Sequence, residues 1–549
     1  MKVNSHVTRF VLLVTLLLAG QSVFAGTQPP RRPVPSPQAG AIPSWAVPSA
    51  SPSRLDAVDA GDGPFEPGLL RALLEAEPDE VVPVIVTLRE QVDVKSVAVG
   101  ELGVAETRSL VVSALQAGAA RSQTALRAYL EGAQAAGQVE HYTPFWIFNG
   151  IAVRARPSVV QALAAHPSVA AVHLDHWRQW ITEESPNPKF QAANLQSAIR
   201  NLQSPLEWGV ARIRADQVWS ALRITGTGAV VAGMDTGVDW LHPALQANYR
   251  PFNPHGPTNH THSWYDATGG GALYPVDDYG HGSHTLGTVV GQDGIGVAPG
   301  ARWIAVKALN KDGYAYDSWI HAGFQWLLAP GGNPAMVPDV VNCSWGSSIS
   351  TLTTFQSDLR SLRAAGIPVV FSAGNDGPAG GTIDSPASLP EAFAIGASDP
   401  GDQVASFSGR GPTPWGEVRP HVVAPGVNVR SSLPGGAYGY KDGTSMAAPH
   451  VAGIVALLRS VSPTLGIDRA TFLITSTTVP LGAAVPNNDS GWGRVDAFAA
   501  VATLVQPGFI TGTVARAGDG MPLAGATVTA VPHEGGGAAS AVAEDGGSY

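Results

Sequence analysis

Cysteine is nearly absent from this 549-residue chain, which contains Cys343 and no second one. An internal disulfide is therefore excluded, and cysteine content gives no indication of an oxidising compartment. Cys343 lies in an apolar, strand-like run, and no separate base is suggested for it. We expect a buried core thiol rather than a nucleophile.

Charged residues are also scarce, at 14% of the chain, and the net charge of -10 has the wrong sign for a nucleic-acid surface. No basic stripe is present either, so no nucleic-acid partner is expected. With 44% hydrophobic residues, the chain can build the core of more than one domain. Gly226 and Gly228 precede a predicted strand instead of following it, which argues against a nucleotide-binding loop there.

The apolar run at the amino terminus is too short for a comfortable membrane span. Lys2 and Arg9 lie before or beside the apolar residues 10–19, and Ala25 completes a small-residue cleavage signal. We expect a signal peptide over residues 1–25, a secreted or cell-envelope location and no membrane span after its removal. An uncleaved anchor is the alternative.

The most informative feature present is a serine at a glycine-permitted turn that opens a helix. Ser445 lies in the sequence GTSMAAPH, residues 443–450. Amide groups at a helix start favour negative charge, so an oxyanion forming beside Ser445 would meet donors already in place. A serine nucleophile also needs a base within hydrogen-bond reach and a third group that orients the base.

Both partners are found upstream. The strand-like run at 228–234 ends at Asp235, in the sequence DTGVD, and the carboxyl ends of parallel strands are where ligands and chemistry collect. His281, in the sequence DYGHGSHTLG, begins a helix-like stretch. His284 follows three residues later and is expected to pack beside the site rather than to act in it.

The motifs DTG, HGSH and GTSMAAPH, in this order, resemble those of the subtilisin-like serine proteases, the subtilase family (peptidase family S8). A fourth match is AGN at 373–375, which follows a predicted buried strand. Each short motif is weak alone, but four in one order are highly specific. The stretches at 301–307, 323–330 and 341–346 look closer to the bacillopeptidase F branch than to the small secreted subtilisins; core packing of their tryptophans is the alternative.

The resemblance implies a serine endopeptidase that works through an acyl-enzyme. Asp235 would fix the tautomer of His281, and His281 would take the proton of Ser445 and deliver it to the leaving amine. Asn375 and the Ser445 backbone N–H would hold the oxyanion. Activity should fall as His281 protonates, which predicts a neutral to alkaline optimum. No cofactor is implied for catalysis.

Protein or peptide substrates are the implied partners. In the family a peptide substrate binds as an extra strand between two edge segments. Its main chain makes the hydrogen bonds, so this arrangement does not depend on the substrate sequence. The matching positions here are Gly313, Tyr314 and Ala315 on one side and Ser344, Trp345 and Gly346 on the other. Trp345 is bulkier than the leucine often found there, so no side-chain preference is carried over.

A structural calcium ion stays open, but the common subtilisin calcium site is not carried over. His242 and Pro243 are followed by Ala244 where an aspartate would stand, and segment 287–296 is too short for the calcium loop. Asp277-Asp278 is expected to be a solvated acidic turn. No metal site is therefore predicted.

The predicted fold class is α/β, with a three-layer subtilisin-like domain at 206–505 and a mainly parallel sheet, since strand-like and helical segments alternate. Residues 81–175 have the order βαββαβ, which resembles the I9 inhibitory propeptide. The family implies that this domain acts as an intramolecular inhibitor until it is cut away; a permanent accessory domain is the alternative. A Pro/Ala/Ser-rich linker at 26–75 and a processing region at 176–205 flank it.

Residues 508–549 alternate β-formers about a glycine-containing turn, which resembles the start of a carboxypeptidase regulatory-like β-sandwich. Roughly 40 residues fall short of the nearly 100 that such a sandwich needs. We therefore expect this last domain to be truncated; a disordered tail is the alternative.

Two other classes stay open. The first is a catalytically silent secreted binding or adhesion protein on the same scaffold, although the intact motif residues argue against it. The second is the acid-active sedolisins, which also carry a GTS nucleophile. They use glutamate where this chain has His281 and aspartate where it has Asn375.

Overall fold

The computed structural model describes residues 66–97, 103–181 and 206–505, with short pieces at 514–515, 521–522, 524–530 and 539–542. The predicted signal peptide, most of the predicted linker and residues 182–205 of the processing region lie outside the described residues.

An antiparallel sheet organises the N-terminal domain. Its strands are β1 (Val82–Leu88), β2 (Val139–Phe145), β3 (Gly150–Ala155) and β4 (Val169–Leu174), in the order β2-β3-β1-β4. Its helices are α1 (Pro67–Glu75), α2 (Val94–Val97), α3 (Val104–Ser122), α4 (Thr124–Ala135) and α5 (Pro157–Ala164). Strand residues alternate between two faces, since Val84 and Val86 pack with Leu126 and Val160 while Ile85 packs with α3 and the larger domain.

The βαββαβ order is as predicted, but two boundaries differ. Pro67–Glu75 was predicted as linker and is helical instead, because Leu69 is fully buried and Leu73 packs against the same core. The helical segment between the first two strands of this order is divided at Gln123 into α3 and α4. The buried amide of Gln123 donates to the carbonyls of Phe145 and Gly150 and to Asn149 Oδ1, which ties this point of the helix to the β2–β3 turn.

The larger domain is built on a seven-stranded sheet in which every neighbouring pair is parallel. Its strands are β6 (Val230–Asp235), β7 (Trp264–Asp266), β8 (Arg302–Lys307), β10 (Val340–Cys343), β11 (Val369–Ser372), β12 (Phe393–Ser398) and β13 (Val422–Pro425). They lie in the order β13-β12-β11-β10-β6-β8-β7. The two edge strands, β7 and β13, are only three and four residues long.

Helices cover both faces of this sheet. They are α6 (Trp208–Arg212), α7 (Ala215–Leu222), α8 (Pro243–Gln246), α9 (His281–Val290), α10 (Asp317–Leu328), α11 (Gln356–Ala364), α12 (Thr444–Val461), α13 (Ile467–Ser476) and α14 (Ala497–Val505). One apolar core contains residues of α9, α12 and α14, and the other contains residues of α10 and α11. Within β6, Val231 packs in the first core and Ala232 in the second, which confirms the three-layer prediction.

The central helix α12 is the one helix in the described residues that is long and apolar enough to cross a membrane, yet 83% of it is buried inside the protein. Cys343 ends β10 and is fully buried, as predicted. Burial first, and then the charge of Asp235, raises the pKa of this thiol well above its ordinary value.

Among the described residues, three strand pairs lie outside the two large sheets. Strand β5 (Trp177–Gln179) pairs antiparallel with β9 (Tyr314–Tyr316), and β14 (Val429–Leu433) forms a hairpin with β15 (Ala437–Lys441). Near the end of the chain, β16 (Thr527–Ala530) pairs antiparallel with β17 (Ala539–Val542). The β-sandwich remains a prediction, because most of 508–549 lies outside the described residues.

Candidate active site

Asp235 and His281 are in direct contact because the end of one strand meets the start of one helix. Asp235 is the last residue of β6 and His281 is the first residue of α9. His281 Nδ1 lies 2.8 Å from Asp235 Oδ1 and 3.0 Å from Oδ2, and both side chains are buried. Because Nδ1 faces a carboxylate, it carries the proton and donates it, which leaves Nε2 as the acceptor.

Further donors orient the Asp235 carboxylate. The Thr236 N–H donates to Oδ1 at 2.7 Å, and the Thr285 hydroxyl lies 3.5 Å from Oδ2. The Asp235 carbonyl accepts from the backbone N–H groups of Ala308 and Leu309. The carboxylate is therefore held by the Thr236 amide and by the helix that carries His281, and the Asp235 backbone is held by the two residues that follow β8.

Asp277 anchors the start of α9, a role that sequence patterning missed. Its carboxylate accepts five hydrogen bonds, from the backbone of Tyr279, Gly280 and Ser283 and from the hydroxyls of Ser283 and Thr236. The prediction of a solvated acidic turn is therefore wrong for Asp277. An acidic residue shortly before a helix-like start was the available signal, since such residues often accept from the first amides.

The other half of this turn contacts the sheet. Asp278 is exposed, but its Oδ1 accepts from Lys307 Nζ at 2.5 Å. Lys307 is buried on β8 and also donates to the carbonyl of Thr236. The turn before His281 is thus connected to the strand end that carries Asp235.

Ser445 lies at the second position of α12, after Gly443, whose φ of 139° is disfavoured for residues with a side chain. Its Oγ donates to the carbonyl of Ser344 at 3.0 Å, and the Ser344 hydroxyl donates to the carbonyl of Ser445 at 2.8 Å. Among the described residues, the hydroxyl of Ser445 is therefore engaged with Ser344 and not with His281.

Asn375 lies three residues beyond β11 and faces the start of α12. Its Oδ1 accepts from the Thr444 N–H at 2.9 Å and from the Thr444 hydroxyl at 2.8 Å. This network assigns the amide orientation and leaves both Nδ2 hydrogens available as donors. A Cβ atom on Gly443 would lie 3.5 Å from Nδ2, so the amide nitrogen lies at the turn before Ser445.

The two predicted substrate segments hold a strand of the chain's own N-terminal domain. Strand β5 pairs with β9 so that Arg178 faces Ala315 and Gln179 faces Tyr314. The Trp180 N–H donates to the carbonyl of Gly313 at 2.9 Å, and the Gly346 N–H donates to the carbonyl of Trp180 at 3.1 Å. The structure therefore brings segments 313–315 and 344–346 to either side of residues 177–181.

Trp180 fills an aromatic pocket of the larger domain. Its ring centroid lies 5.5 Å from that of Trp345 and 5.6 Å from that of Phe355. The Trp345 indole N–H donates to the carbonyl of Met234, which fixes that ring. Trp180 is only 2% exposed, so the N-terminal domain buries one of its largest side chains in the other domain.

Polar contacts extend this interface along α10 and α11. Gln325 Oε1 accepts from the backbone N–H groups of Trp146 and Ile147, and the Ser361 hydroxyl donates to the carbonyl of Ile147. Asp175 accepts from the N–H and hydroxyl of Ser318 at the start of α10, where a helix terminus favours a carboxylate. The N-terminal domain is thus held by both apolar burial and satisfied hydrogen bonds.

His284 packs beside the site, as predicted. Its Nε2 lies 3.1 Å from the carbonyl of Val429 and 3.2 Å from that of Gly439, in the β14–β15 hairpin. Burial, with smaller contributions from the charges of Lys441 and His281, lowers the pKa of His284 to about 3. Within the described part of the chain, no group of three histidine, cysteine or acidic side chains is arranged to hold a metal ion.

Comparison with known proteins gives the same architecture. The sequence profile of the subtilase family matches residues 226–493, and that of peptidase inhibitor I9 matches residues 83–180. Bacillopeptidase F of Bacillus subtilis (strain 168) is 42% identical over 437 residues, covering 75% of this chain but 30% of that protein. Subtilisin E of the same organism is 32% identical over 350 residues, covering 62% of this chain and 77% of that protein.

A third relative, a subtilisin of Bacillus pumilus, is 34% identical over 289 residues, or 50% of this chain and 93% of that protein. The chain therefore spans most of the length of the small subtilisins and less than a third of bacillopeptidase F. With its parallel sheet, its I9-type domain and this similarity, the chain belongs to the subtilase family of serine peptidases.

Proposed function

We propose that this chain is a secreted serine endopeptidase made as a zymogen, with Ser445 as nucleophile, His281 as general base and Asp235 as the group that orients the base. The observation that carries the proposal is the buried 2.8 Å contact between His281 Nδ1 and Asp235 Oδ1. It leaves Nε2 able to take a proton from a nucleophile.

Attack begins when the Ser445 hydroxyl rotates from the carbonyl of Ser344 to His281 Nε2. Hydrogen bonds of this kind are often unformed before substrate binds. As Ser445 Oγ bonds to the substrate carbonyl carbon, its proton passes to Nε2, and Asp235 stabilises the resulting imidazolium. The charge that develops on the carbonyl oxygen is met by Asn375 Nδ2 and the Ser445 N–H.

Collapse of the tetrahedral intermediate breaks the peptide C–N bond. His281 gives its proton to the leaving amine, and the acyl group stays on Ser445. A water molecule then attacks the ester with His281 as base, which releases the acid and restores the serine. These steps use side chains and backbone amides and require no cofactor.

The N-terminal domain would act as an intramolecular inhibitor. Its residues 177–181 already make the strand contacts that a peptide substrate would make with 313–315 and 346. Cleavage within 182–205 would separate the two domains, and loss of the fragment would open the cleft. Residues 1–25 would direct export before this step.

The decisive experiment compares the intact masses of the secreted wild type, Ser445→Ala and a matched control, Ser460→Ala. Ser460 lies on the same helix, and its hydroxyl donates within that helix to the carbonyl of Leu457. Wild type and Ser460→Ala should lose the N-terminal domain, while Ser445→Ala should keep it.

Retention of the N-terminal domain by all three proteins, together with no hydrolysis of casein, would instead support the silent binding protein. Activity with a maximum near pH 4 would contradict the histidine-based mechanism.

A further inference from the structure

The residue whose carbonyl is attacked by Ser445 has to lie between two backbone segments. Gly346 holds the carbonyl of Trp180, and the carbonyl of Ser344 lies 3.0 Å from Ser445 Oγ, so a bound strand runs along 344–346 toward the nucleophile. On the other side lies segment 373–375, which ends in the proposed oxyanion donor Asn375. The side chain next to the scissile bond must therefore enter the space between these two segments.

Asp384 lies against both walls of this space. A Cβ atom on Gly346 would be 2.8 Å from Asp384 Cβ, and one on Gly374 would be 2.5 Å from Asp384 Cγ. The Asp384 N–H donates to the carbonyl of Ala373 at 2.9 Å, which fixes the residue beside segment 373–375. The two glycines thus leave room for a carboxyl group at the inner end of the space.

This carboxyl group has no counter-ion within the described structure. Its Oδ1 is shielded from solvent and has no hydrogen-bond partner among the described residues. The charged neighbour that acts on it is another acid, the exposed Asp376. A shielded carboxyl without donors is costly, and a ligand that brings both donors and positive charge would relieve that cost.

We propose that Asp384 forms the floor of the pocket for the residue on the acyl side of the scissile bond and selects lysine or arginine there. The inference rests on the proposed peptidase function and names its substrate class. A guanidinium or ammonium group would enter between Gly346 and Gly374 and donate to the Asp384 carboxylate. An acidic residue would meet Asp384 and Asp376 and be rejected.

Electrostatics adds a pH signature. Burial first, and then the charge of Asp376, raises the pKa of Asp384 to about 8. A cationic side chain favours the ionised carboxylate, so its binding expels the proton wherever Asp384 is protonated. The ratio of kcat/KM for arginine to kcat/KM for leucine should therefore increase between pH 7 and pH 9. Dividing by the leucine value removes the pH dependence that comes from the enzyme's other titrating groups.

The test uses mature wild-type enzyme and four peptide p-nitroanilides that differ only in the residue before the scissile bond: arginine, lysine, leucine or glutamate. We expect kcat/KM for arginine and lysine to exceed that for leucine by about 10- to 100-fold, the range of a charge-assisted contact. Asp384→Asn should lose most of this ratio, because kcat/KM for the arginine and lysine substrates should fall much more than kcat/KM for the leucine substrate. Asp468→Asn, which makes the same charge change at an exposed residue of α13, should keep the ratio.

A second readout does not depend on turnover of a charged substrate. Benzamidine, a planar cation, should compete with the leucine substrate in the wild type, and its neutral isostere benzamide should not. Asp384→Asn should raise the inhibition constant of benzamidine about tenfold or more, the loss of one charge-assisted contact.

The outcomes separate the two claims. If the wild type cleaves leucine or glutamate substrates faster than arginine and lysine, or if Asp384→Asn keeps the arginine preference, the inference fails while the peptidase function stands. If the mature wild type cleaves no substrate and its serine does not react with a fluorophosphonate, the function fails and the inference fails with it.

Discussion

The indole of Trp180 stands edge-on to that of Trp345, with ring centroids 5.5 Å apart and ring planes at 78°. Phe355 closes the same pocket, and Trp345 is only 1% exposed. Edge-to-face pairs of this kind add to the burial of a large aromatic side chain. Because Trp180 belongs to the N-terminal domain and Trp345 to the peptidase domain, this contact links the two domains at the cleft.

Replacing Trp180 by alanine should release the N-terminal domain. Truncating a buried aromatic anchor commonly costs more than about 2 kcal/mol of binding free energy, or roughly a 30-fold loss of affinity. After self-cleavage, the fraction of N-terminal fragment that co-elutes with the peptidase domain in gel filtration should fall. Leu74→Ala is the control, because Leu74 is 73% exposed on α1. Equal retention by both variants would contradict the anchor role.

The contact between the domains should weaken as the pH rises. Asp317, at the start of α10, lies 3.4 Å from Arg178 of β5. Burial raises the pKa of Asp317 from 3.8 to about 7, and the charge of Asp175 acts in the same direction. The charges of Arg178 and His321 oppose this shift. If separation re-exposes Asp317, its pKa falls back toward 3.8. The bound state therefore takes up a proton between about pH 4 and 7, so the affinity falls as the pH rises through this range and stays at its lower level above about pH 7.

Retention of the cleaved N-terminal fragment should accordingly be greater at pH 6 than at pH 8.5. Asp317→Asn cannot ionise, so its retention should change much less over this interval. A wild-type retention that rises with pH would show that another group controls the interface.

Asn375→Asp should lower the catalytic rate and leave the stability of the protein nearly unchanged. Aspartate keeps the oxygen that accepts from Thr444, but it loses the Nδ2 donor and adds a charge where the oxyanion forms. We expect kcat to fall by about 100- to 1,000-fold, the magnitude established in subtilisin, a member of the same family, for loss of its oxyanion-hole asparagine. The melting temperature should change little. A retained kcat would exclude Asn375 from the oxyanion site.

Asp277→Asn should disturb the start of α9. In Asp277, Oδ1 accepts from Tyr279 and Gly280, and Oδ2 accepts from Ser283. Asparagine has one side-chain oxygen, so one of these two sets of donors would lose its acceptor. Hydrogen bonds to a charged group are worth about 1.5–3 kcal/mol each. We expect lower thermal stability together with a lower kcat/KM, because His281 begins this helix.

Asp278→Asn is the matched control for that substitution. Asp278 is exposed, and asparagine retains an acceptor for Lys307. Its effect on kcat/KM should be the smaller of the two. If Asp278→Asn is the more damaging change, the anchoring role belongs to the Lys307 contact instead.

Local chemistry explains what could be predicted from the sequence. A glycine-opened helix start at Ser445, an apolar strand ending at Asp235 and a helix start at His281 are all properties of a few neighbouring residues. Their order along the chain then indicates the family. Alternation of apolar runs and helical segments is equally local, which is why the three-layer fold and the βαββαβ domain followed from the sequence.

Distant contacts explain what could not. Gln123 divides a uniformly helical sequence because its amide meets the β2–β3 turn, and Asp277 becomes an anchor only when Thr236 and Ser283 surround it. Strand β5 shows no pattern of its own, since its partner β9 lies more than 130 residues further along the chain. Long-range pairing of this kind leaves little trace in either segment.

The sequence by itself therefore determined the family, the order of the elements and the candidate triad. Only the tertiary structure decided that the Ser445 hydroxyl faces Ser344 and that Trp180 fills the pocket beside Trp345. It also decided that Asp384, whose Oδ1 has no hydrogen-bond partner among the described residues, lies between two glycines. The physical reason is that side-chain identity and local spacing suffice to begin a helix or end a strand. Burial, hydrogen-bond satisfaction and charge environment depend on which distant segments the fold brings together.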